Sequence, residues 1–204
     1  MSKVPTRDTF QNAYAGKAPW DIERPQKIFV ENAGKITGAV LDAGCGTGEN
    51  ALYLASLGRH VTGIDYLEVP IERGRKKAAA RNLQVDFCVM DALTLKGFKD
   101  RFDNIIDCGL FHVFSDEDRP RYVEGLAAVL RPGGRLFLLC FSDEEPGTQG
   151  PRRVSKKELP LAFDKGWTIE SIEPCRVEVR SDFTEMSFSE GGPKAWFAVI
   201  RRET

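Results

Sequence analysis

One short segment, an apolar run that ends in an aspartate and is followed by three closely spaced glycines, constrains the fold more than any other feature. The run covers residues 39–42, and the glycines are Gly44, Gly46 and Gly48. Beyond them, apolar residues recur at helical spacing over residues 50–57. Because glycine lets a backbone turn tightly and approach a ligand closely, this order of strand, glycine loop and helix predicts a ligand-binding edge of an α/β sheet.

Strand and helix patterns alternate from about residue 36 onward, and this alternation predicts an α/β fold. The predicted strands are 39–42, 60–65, 83–90, 102–107, 136–141, 167–179 and 195–201, and the predicted helices are 25–34, 50–57, 69–81, 116–130 and 155–164. The last of these helices begins with a capping box formed by Ser155 and Glu158. The final two strands lack a helix-length connection, so we expect a doubly wound, mostly parallel seven-stranded sheet with an antiparallel edge hairpin.

The composition excludes several classes of protein. The chain has 204 residues, a formal net charge of −1 and five cysteines. No apolar run reaches the ~18 residues of a membrane span, no secretory signal is visible, and the charge lacks the basic excess of a dedicated nucleic-acid binder. The odd cysteine count without a Cys-x-x-Cys pair indicates a reducing compartment, and no residue spacing demands a metal. We therefore expect a cytoplasmic protein without metal, membrane or nucleic-acid partners.

Four of the predicted strands end in an aspartate, and these side chains are the candidate ligand-binding groups. They are Asp42, Asp65, Asp91 and Asp107. The carboxyl ends of parallel strands meet at one edge of the sheet, where ligands bind. Clustered carboxylates repel one another and are costly to desolvate unless a cationic or donor-rich group meets them. The pattern therefore predicts a ligand with a positive charge.

Glu49 separates this glycine loop from the loop that binds dinucleotides. In the pattern G-x-G-x-x-G, counted from Gly44, the third glycine falls at position 49. A carboxylate there, in the first turn of the predicted helix, repels a phosphate. Asp65 is placed to accept both hydroxyls of a ribose, and Asp91 is placed to accept from the exocyclic amine of adenine. A ligand with these groups, a positive centre and no phosphate is S-adenosylmethionine.

Motifs spread over residues 36–142 resemble those of class I S-adenosylmethionine-dependent methyltransferases. They are residues 41–48 (LDAGCGTG), 63–65 (GID), 90–92 (MDA), 102–107 (FDNIID) and 130–134 (LRPGG). The resemblance implies a Rossmann-like fold and an enzyme that uses S-adenosylmethionine as its cofactor. The cofactor-binding residues that it implies are Asp42, Gly44, Cys45, Gly46, Asp65, Tyr66, Asp91, Ala92 and Asp107.

Residues near the N-terminus narrow this resemblance. Residues 18–21 (APWD), with Arg24 and Pro25, are similar to the thiopurine, halide and thiol methyltransferase branch and to bacterial relatives that methylate heterocyclic toxins. In those relatives the tryptophan lies against the cofactor, which implies the same position for Trp20. Many relatives have glycine where this chain has Glu23.

A single domain over residues 1–204 follows from the alternation and the resemblance together. Residues 1–35 are expected to form an arm and a helix that act as a helical lid. Residues 36–142 form the cofactor-binding core, and residues 143–204 form a lid loop, a helix and the closing hairpin. The aromatic residues of the arm and the length of the loop over residues 142–154 are the reasons for expecting two lids.

The methyl acceptor is expected beside residues 110–114, because in this family type that turn lies next to the methyl group. The turn is apolar apart from His112, which is either a general base that takes the acceptor's proton or a packed histidine that only shapes the pocket. We predict a small aromatic or heterocyclic acceptor with a sulfur, oxygen or nitrogen nucleophile. The predicted acceptor-binding residues are Tyr14, Phe111, His112, Arg152 and Arg153.

Two other functions stay open at this point. One is an NAD-dependent oxidoreductase, and the other is a non-catalytic module that binds S-adenosylmethionine. The basic residues between Arg73 and Arg81 favour a solvated helix face over a nucleic-acid interface, because the net charge gives the latter no support. The sequence leaves the oligomeric state and the identity of the acceptor open.

Overall fold

A seven-stranded sheet forms the centre of the computed structural model, which describes residues 4–203. The strands are β1 (Ala39–Ala43), β2 (His60–Asp65), β3 (Asp86–Val89), β4 (Phe102–Cys108), β5 (Leu130–Phe141), β6 (Trp167–Arg176) and β7 (Lys194–Arg202). Their order is β3-β2-β1-β4-β5-β7-β6, with β1 to β5 parallel and β7 antiparallel to β5 and β6. The predicted Rossmann-like fold with its antiparallel edge is confirmed. Predictions for residues 1–3 and 204 lie outside the described residues.

Helices cover both faces of the sheet. They are α1 (Arg7–Ala15), α2 (Lys27–Asn32), α3 (Glu49–Ser56), α4 (Glu68–Ala80), α5 (Asp118–Val129) and α6 (Glu158–Ala162). On one face, Phe29 of α2, Leu52 of α3 and Ile71 of α4 belong to one apolar core. On the other face, Tyr122 of α5 and Leu159 of α6 belong to a second core. The parallel strands are therefore buried on both sides, which is the reason that they are nearly continuous in apolar residues.

The C-terminal end of α4 explains why β3 is shorter than predicted. Asn82 has a left-handed backbone with a φ of 53°. Its N–H donates to the carbonyl of Ala79 (3.2 Å), and the N–H of Leu83 donates to the carbonyl of Ala78 (2.9 Å). This pair of hydrogen bonds closes the helix, so Leu83 belongs to its cap. The strand therefore begins at Asp86, not at residue 83.

The predicted capping box at residue 155 is only half formed. The N–H of Ser155 donates to the carboxylate of Glu158 (2.7 Å), but the helix begins at Glu158 itself and has five residues. The second carboxylate oxygen of Glu158 is held by Arg152. The side chain of Glu158 thus binds two residues of the preceding loop, Arg152 and Ser155, and α6 is shorter than the predicted helix over 155–164.

The N-terminal segment, residues 4–26, precedes α2 and contains the helix α1. Thr6 caps α1 by accepting from the N–H of Thr9 (3.4 Å), and the helix ends at Ala15, before Gly16.

Further along, Glu23 has a φ of 57°. This left-handed conformation favours glycine, so Glu23 holds a backbone conformation that side chains rarely adopt. Across residues 4–203, none of the helices has both the length and the apolar character needed to cross a membrane.

Candidate active site

A cavity of about 680 Å³ opens beside the carboxyl ends of the parallel strands, where the strand order reverses between β1 and β4. Doubly wound sheets bind their ligands at this position. The glycine loop after β1, the N-terminal segment and the connection between β6 and β7 contribute to its wall. The predicted site residues that line it are Tyr14, Trp20, Asp42, Gly44, Cys45, Gly46, Asp65, Tyr66, Asp91, Ala92 and His112.

Asp42, in β1, is a fully buried carboxylate in the cavity wall. Neither of its oxygens has a hydrogen-bond partner among residues 4–203. Burial, and then the neighbouring Asp107, raise the pKa of Asp42 to about 8, while the backbone N–H of Ala51 opposes the shift without completing a hydrogen bond. A buried carboxylate without a partner is costly. It therefore suits a ligand that brings a cation or several donors to this point.

Asp65, at the end of β2, holds the glycine loop in place. One carboxylate oxygen accepts from the N–H of Gly46 (3.2 Å), and the other accepts from the N–H of Leu67 (2.9 Å). Burial raises the pKa of this carboxyl, and the backbone donors oppose the shift. An ionised carboxylate offers about four acceptor positions, so Asp65 keeps positions free for the hydroxyls of a ribose.

Gly46 lies where the glycine loop meets the N-terminal segment. Its φ is 55°, and a Cβ at this residue would lie 2.6 Å from the hydroxyl oxygen of Tyr14. A side chain at Gly46 is therefore excluded both by the backbone conformation and by the close approach of Tyr14. That Gly46 also approaches the cofactor closely stays a prediction.

Asp91 follows β3 and begins a 3-10 turn, Ala92–Gly97, that replaces a crossover helix. Its side chain is exposed and accepts from the N–H of Leu93 (2.9 Å). Asp91, predicted from the end of its strand, lines the cavity together with Ala92 and Tyr66, which the family resemblance implies. These three residues form the side of the cavity at which an adenine is expected.

Asp107 does not line the cavity, contrary to the prediction. Its carboxylate accepts from the N–H of Leu110 (2.8 Å) and Phe111 (3.0 Å) and from the hydroxyl of Tyr122 (2.9 Å). Burial raises the pKa of Asp107 to about 7, and these donors oppose the shift. The side chain therefore fixes the turn after β4 from within the core. Sequence reasoning placed the residue at the correct edge but not the direction of its side chain.

The N-terminal segment covers part of the cavity with aromatic side chains. The indole N–H of Trp20 donates to the hydroxyl of Tyr14 (3.0 Å), and the ring of Phe10 lies edge-on to those of Trp20 (5.7 Å) and Tyr66 (6.0 Å). The guanidinium of Arg73, on α4, donates to the carbonyl of Tyr14 (2.7 Å). The segment thus has the position of a lid, and its movement on cofactor binding stays a prediction.

Lys77 of α4 and Arg81, the residue after α4, form ion pairs, while Arg75 and Lys76 are exposed on the predicted solvated face. Lys77 pairs with Glu49 (2.9 Å) and donates to the hydroxyl of Thr47 (2.7 Å), which in turn donates to Asp21 (2.7 Å). Arg81 binds Glu49 with both of its terminal nitrogens (2.8 and 3.0 Å). These contacts join α4 to the glycine loop and to the N-terminal segment.

The same contacts change the interpretation of Glu49. Burial opposes its ionisation, but hydrogen bonds from Arg81 and Lys77 lower its pKa overall. Because both cations balance the charge of this carboxylate, its repulsion of a phosphate is weaker than the sequence suggested. The buried carboxylate of Asp42, more than Glu49, therefore favours a cofactor without phosphates.

His112 lies in the turn after β4, and its ring orientation is fixed. Its Nδ1 accepts from the N–H of Phe141 (2.9 Å), and its ring lies edge-on to that of Phe141 (5.1 Å). Because Nδ1 is the acceptor, the neutral ring carries its proton on Nε2. Burial, and then Arg153 and Arg119, lower the pKa of His112 to about 3. These features oppose the predicted role as a general base.

Three of the predicted acceptor-binding residues lie outside the cavity wall. Phe111 is fully buried in the core and packs against Phe163 (5.6 Å between ring centroids). Arg152 pairs with Asp116 and Glu158. Arg153 donates to loop carbonyls, among them Pro151 (2.7 Å) and Gln149 (3.0 Å), and lies over the ring of Phe141. The two arginine side chains hold the lid loop in place and Phe111 is packed in the core, so none of the three is free to bind an acceptor.

Sequence reasoning missed the connection between β6 and β7 as part of the site. Val177, Val179, Met186 and Phe188 from this connection line the cavity. Val177 and Val179 belong to the predicted strand 167–179, which ends at Arg176 in the structure, and the spacing of Met186 and Phe188 marked neither residue as part of a site. The ring of Phe188 lies edge-on to that of Phe141 (5.8 Å), which places it beside the turn that contains His112.

Glu145 anchors this connection. Its buried carboxylate accepts from the N–H of Ser189 (2.9 Å) and from the N–H of Lys194 (2.8 Å). Burial opposes ionisation, but these backbone donors lower the pKa of Glu145 overall. The ionised carboxylate therefore stabilises the fold above its unfolded pKa, and this stabilisation is lost as the pH falls through the lowered folded value.

Changing Glu145 to Gln should weaken acceptor binding while leaving the cofactor affinity unchanged. The amide accepts at one oxygen only, so one backbone N–H loses its partner, and we expect a stability loss of about 1–3 kcal/mol. Because Met186 and Phe188 then lose their fixed position, the KM for the acceptor should rise by roughly tenfold. Glu144→Gln, at the exposed neighbour, is the matched control. An unchanged KM in Glu145→Gln would contradict this role.

Changing Asp65 to Ala should reduce cofactor affinity by about 1–3 kcal/mol, the cost of donors left without an acceptor. The free energy of unfolding without cofactor should fall as well, because the N–H groups of Gly46 and Leu67 lose their acceptor. Calorimetry with S-adenosylhomocysteine and thermal unfolding measure the two effects separately. Asp91→Ala, which removes an exposed carboxylate from the same cavity, should affect stability less. Unchanged affinity in folded Asp65→Ala would refute the ribose assignment.

The family of the chain follows from comparison with known proteins. Residues 40–134 match a family model described as a methyltransferase domain. The chain is 35% identical, over 97% of its own length and 91% of the relative's, to a 2-heptyl-1-hydroxyquinolin-4(1H)-one methyltransferase of Mycobacteroides abscessus. The chain belongs to the S-adenosylmethionine-dependent methyltransferases. A probable thiol methyltransferase 2 of Arabidopsis thaliana is 32% identical over 74% of the chain and 70% of that relative.

A solved structure agrees with this membership. It comes from work on the conversion of a disulfide bond into a thioacetal group during echinomycin biosynthesis. It is 38% identical, covers 96% of this chain and 92% of the other, and superposes with a TM-score of 0.83. The methyltransferase therefore uses S-adenosylmethionine as its cofactor, and the alternatives of an oxidoreductase and a non-catalytic module are set aside. The unpartnered carboxylate of Asp42 fits this cofactor, which carries cationic groups.

Proposed function

We propose that this methyltransferase transfers a methyl group to an oxygen, sulfur or nitrogen of a small, largely apolar aromatic or heterocyclic molecule. The observation that carries the proposal is the lining of the cavity. The carboxylates Asp42, Asp65 and Asp91 come from β1, β2 and the residues after β3, whereas Phe114, Phe141 and further apolar residues come from the segment after β4 and from β5. An apolar pocket with few polar groups favours a flat, weakly polar acceptor over a charged macromolecule.

The carboxylate part of the cavity suits the cofactor. Asp65 would accept the ribose hydroxyls, Asp91 with Ala92 would hold the adenine, and Asp42 would meet the cationic methionine end. When bound, S-adenosylmethionine supplies an electrophilic methyl group on a sulfonium centre. The aromatic rings of Phe10 and Trp20 would exclude water from the reacting groups, which preserves the reactivity of a nucleophile toward a cation.

The relatives support this acceptor class. The mycobacterial relative is named for a hydroxyquinolinone, an aromatic heterocycle, and the plant relative for thiols. Both classes supply a nucleophile that ionises readily. Alignment and desolvation can provide most of the acceleration with such nucleophiles. A cytoplasmic location and the absence of nucleic-acid partners stay predictions from composition.

A transfer screen with isotopically labelled S-adenosylmethionine tests the proposal. The panel holds hydroxyquinolones, phenols, thiopurines, aliphatic thiols, iodide, a protein mixture and transfer RNA. We expect labelled product with one or more aromatic hydroxyl, thiol or ring-nitrogen compounds, identified by mass spectrometry. Asp65→Ala serves as the control for transfer that depends on the enzyme. Efficient labelling of protein or RNA with no small acceptor would overturn the proposed substrate class.

A further inference from the structure

At the acceptor end of the cavity, one polar group stands out within an apolar wall. The apolar residues there include Leu110, Val113, Phe114, Phe141, Met186 and Phe188. His112 adds a ring nitrogen, and Asp118 lies near the mouth, where Ser115 and Arg121 hold its side chain. The ring nitrogen of His112 is thus the group best placed to orient an apolar acceptor.

The available nitrogen of His112 is a donor. Nδ1 is occupied by the N–H of Phe141 (2.9 Å), which leaves Nε2 as the N–H donor of a ring that lines the cavity. A Cβ on Gly109 would lie 3.3 Å from both Cε1 and Nε2 of the ring, so a residue without a side chain borders this face. Contact with Phe141 on the backbone and on the ring prevents the imidazole from turning to offer its acceptor nitrogen.

The charged groups nearest to His112 are cationic. Arg119 lies over the ring of Phe111 (5.0 Å), and Arg153 lies over the ring of Phe141 (5.3 Å). Their acidic neighbours are Asp116 and Glu158 around Arg119, and Glu145 beside Arg153. Both cations disfavour a proton on the imidazole. The same field favours a negative charge on a molecule bound at Nε2.

We propose that His112 is a fixed N–H donor that binds the methyl acceptor in its ionised form and takes no proton from it. This inference rests on the proposed function. The acceptor loses its proton to solvent before it binds. A lone pair of the ionised atom then forms the bond to the methyl carbon, the bond from that carbon to sulfur breaks, and the electron pair stays on sulfur. No proton remains to be transferred, so the acidity of the acceptor itself sets the pH dependence.

Two substitutions separate a donor from a base. In His112→Asn, the amide oxygen can replace Nδ1 toward Phe141, but no donor reaches the position of Nε2. In His112→Gln, the amide nitrogen reaches that position as a donor that cannot act as a base near neutral pH. With phenols and thiophenols of graded acidity, we expect His112→Asn to lose about 10²-fold in kcat/KM on the ionised acceptors. His112→Gln should stay within about tenfold of the unchanged enzyme.

The pH profile provides the second readout. With S-adenosylmethionine at saturating concentration, so that the titration of Asp42 in the free enzyme has no effect, kcat/KM for the acceptor levels off at a different pH for each acceptor, in the order of their acidities. A common inflection for all acceptors, or equal losses in His112→Gln and His112→Asn, would overturn it. Thermal unfolding and calorimetry with S-adenosylhomocysteine establish that each variant is folded and binds cofactor.

A binding measurement distinguishes failure of this inference from failure of the proposed function. The absorbance of para-nitrophenol, bound with S-adenosylhomocysteine, reports its ionisation without turnover. We expect its pKa to be lower when bound than in solution, and His112→Asn should remove this shift. If no acceptor is methylated but the shift is present, the proposed function fails while the donor role stands. Binding of the neutral phenol, or no binding, overturns the donor role.

Discussion

Removal of residues 1–20 should leave a folded domain that binds the cofactor weakly and has lost at least ~10²-fold in turnover, because loss of close positioning alone has this effect. The deletion takes away Phe10, Tyr14 and Trp20, which cover the cavity. Tyr14 belongs to a small apolar cluster with Ala18 and Leu67, separate from both cores of the sheet. The stability of the domain should therefore fall much less than its activity.

Deletion of residues 1–20 leaves the contacts of Asp21 in place. Asp21 remains and can still accept from Thr47, so the glycine loop retains its contact with Lys77. Tyr14→Phe is a matched control, because it keeps the ring and removes only the hydroxyl that accepts from Trp20. Full turnover of the truncated enzyme would show that the segment is not a lid. Protection of the segment from protease by S-adenosylhomocysteine would support closure on binding.

The core of the fold could be predicted because its residues repeat with clear periods. The strand over residues 60–65 was predicted at its observed bounds, since its apolar run begins and ends sharply. The strand predicted from Leu83 was too long because apolar character does not distinguish a strand residue from one that closes a helix. Local hydrogen bonds at Asn82 decide this boundary, and periodicity contains no information about them.

The candidate site also contains residues that the sequence predicts correctly and residues that it does not. Asp42, Asp65 and the glycine loop were predicted because each lies at or directly after the carboxyl end of a strand, and the sheet fixes where these ends lie. Phe111 and Asp107 lie at the predicted edge, but their side chains point into the core. A shift of one residue in a turn reverses the direction of a side chain, and the sequence does not define that shift.

The long connections were the least predictable part of the site. Arg152 and Arg153 were predicted to bind the acceptor, but Arg152 pairs with Asp116 and Glu158 outside its loop, and Arg153 donates to carbonyls of the loop. Met186 and Phe188 line the cavity from a segment without periodicity. Such contacts depend on how two loops meet in space, and spacing along one chain does not determine this.

Changing Asp42 to Asn should remove a pH dependence from both folding and cofactor binding. Burial raises the pKa of Asp42 from its ordinary value of 3.8 to about 8 in the folded protein, so the folded state binds this proton more tightly. Stability is therefore highest below the unfolded value and declines as the pH rises from about 4 to 8. In Asp42→Asn this decline should become smaller but not disappear, because the raised pKa values of Asp107 and Asp65 also make the stability fall over this range. The protein without cofactor should be more stable at pH 8 by about 1–3 kcal/mol.

Cofactor binding should show the opposite dependence in the unchanged enzyme. A cationic ligand lowers the pKa of Asp42, so binding of the cofactor at pH 7 releases a proton. At pH values below the pKa of Asp42 in the folded protein, the affinity for the cofactor therefore rises by up to about tenfold for each unit of increasing pH. Calorimetry with S-adenosylhomocysteine in buffers of different ionisation enthalpy measures this release. Asp42→Asn should release no proton and bind about 10–100-fold more weakly at pH 8. Asp91→Asn, which removes a carboxylate from the exposed side of the cavity, should keep the proton release. Equal release in the unchanged enzyme and in Asp42→Asn would show that another group meets the cofactor's cation.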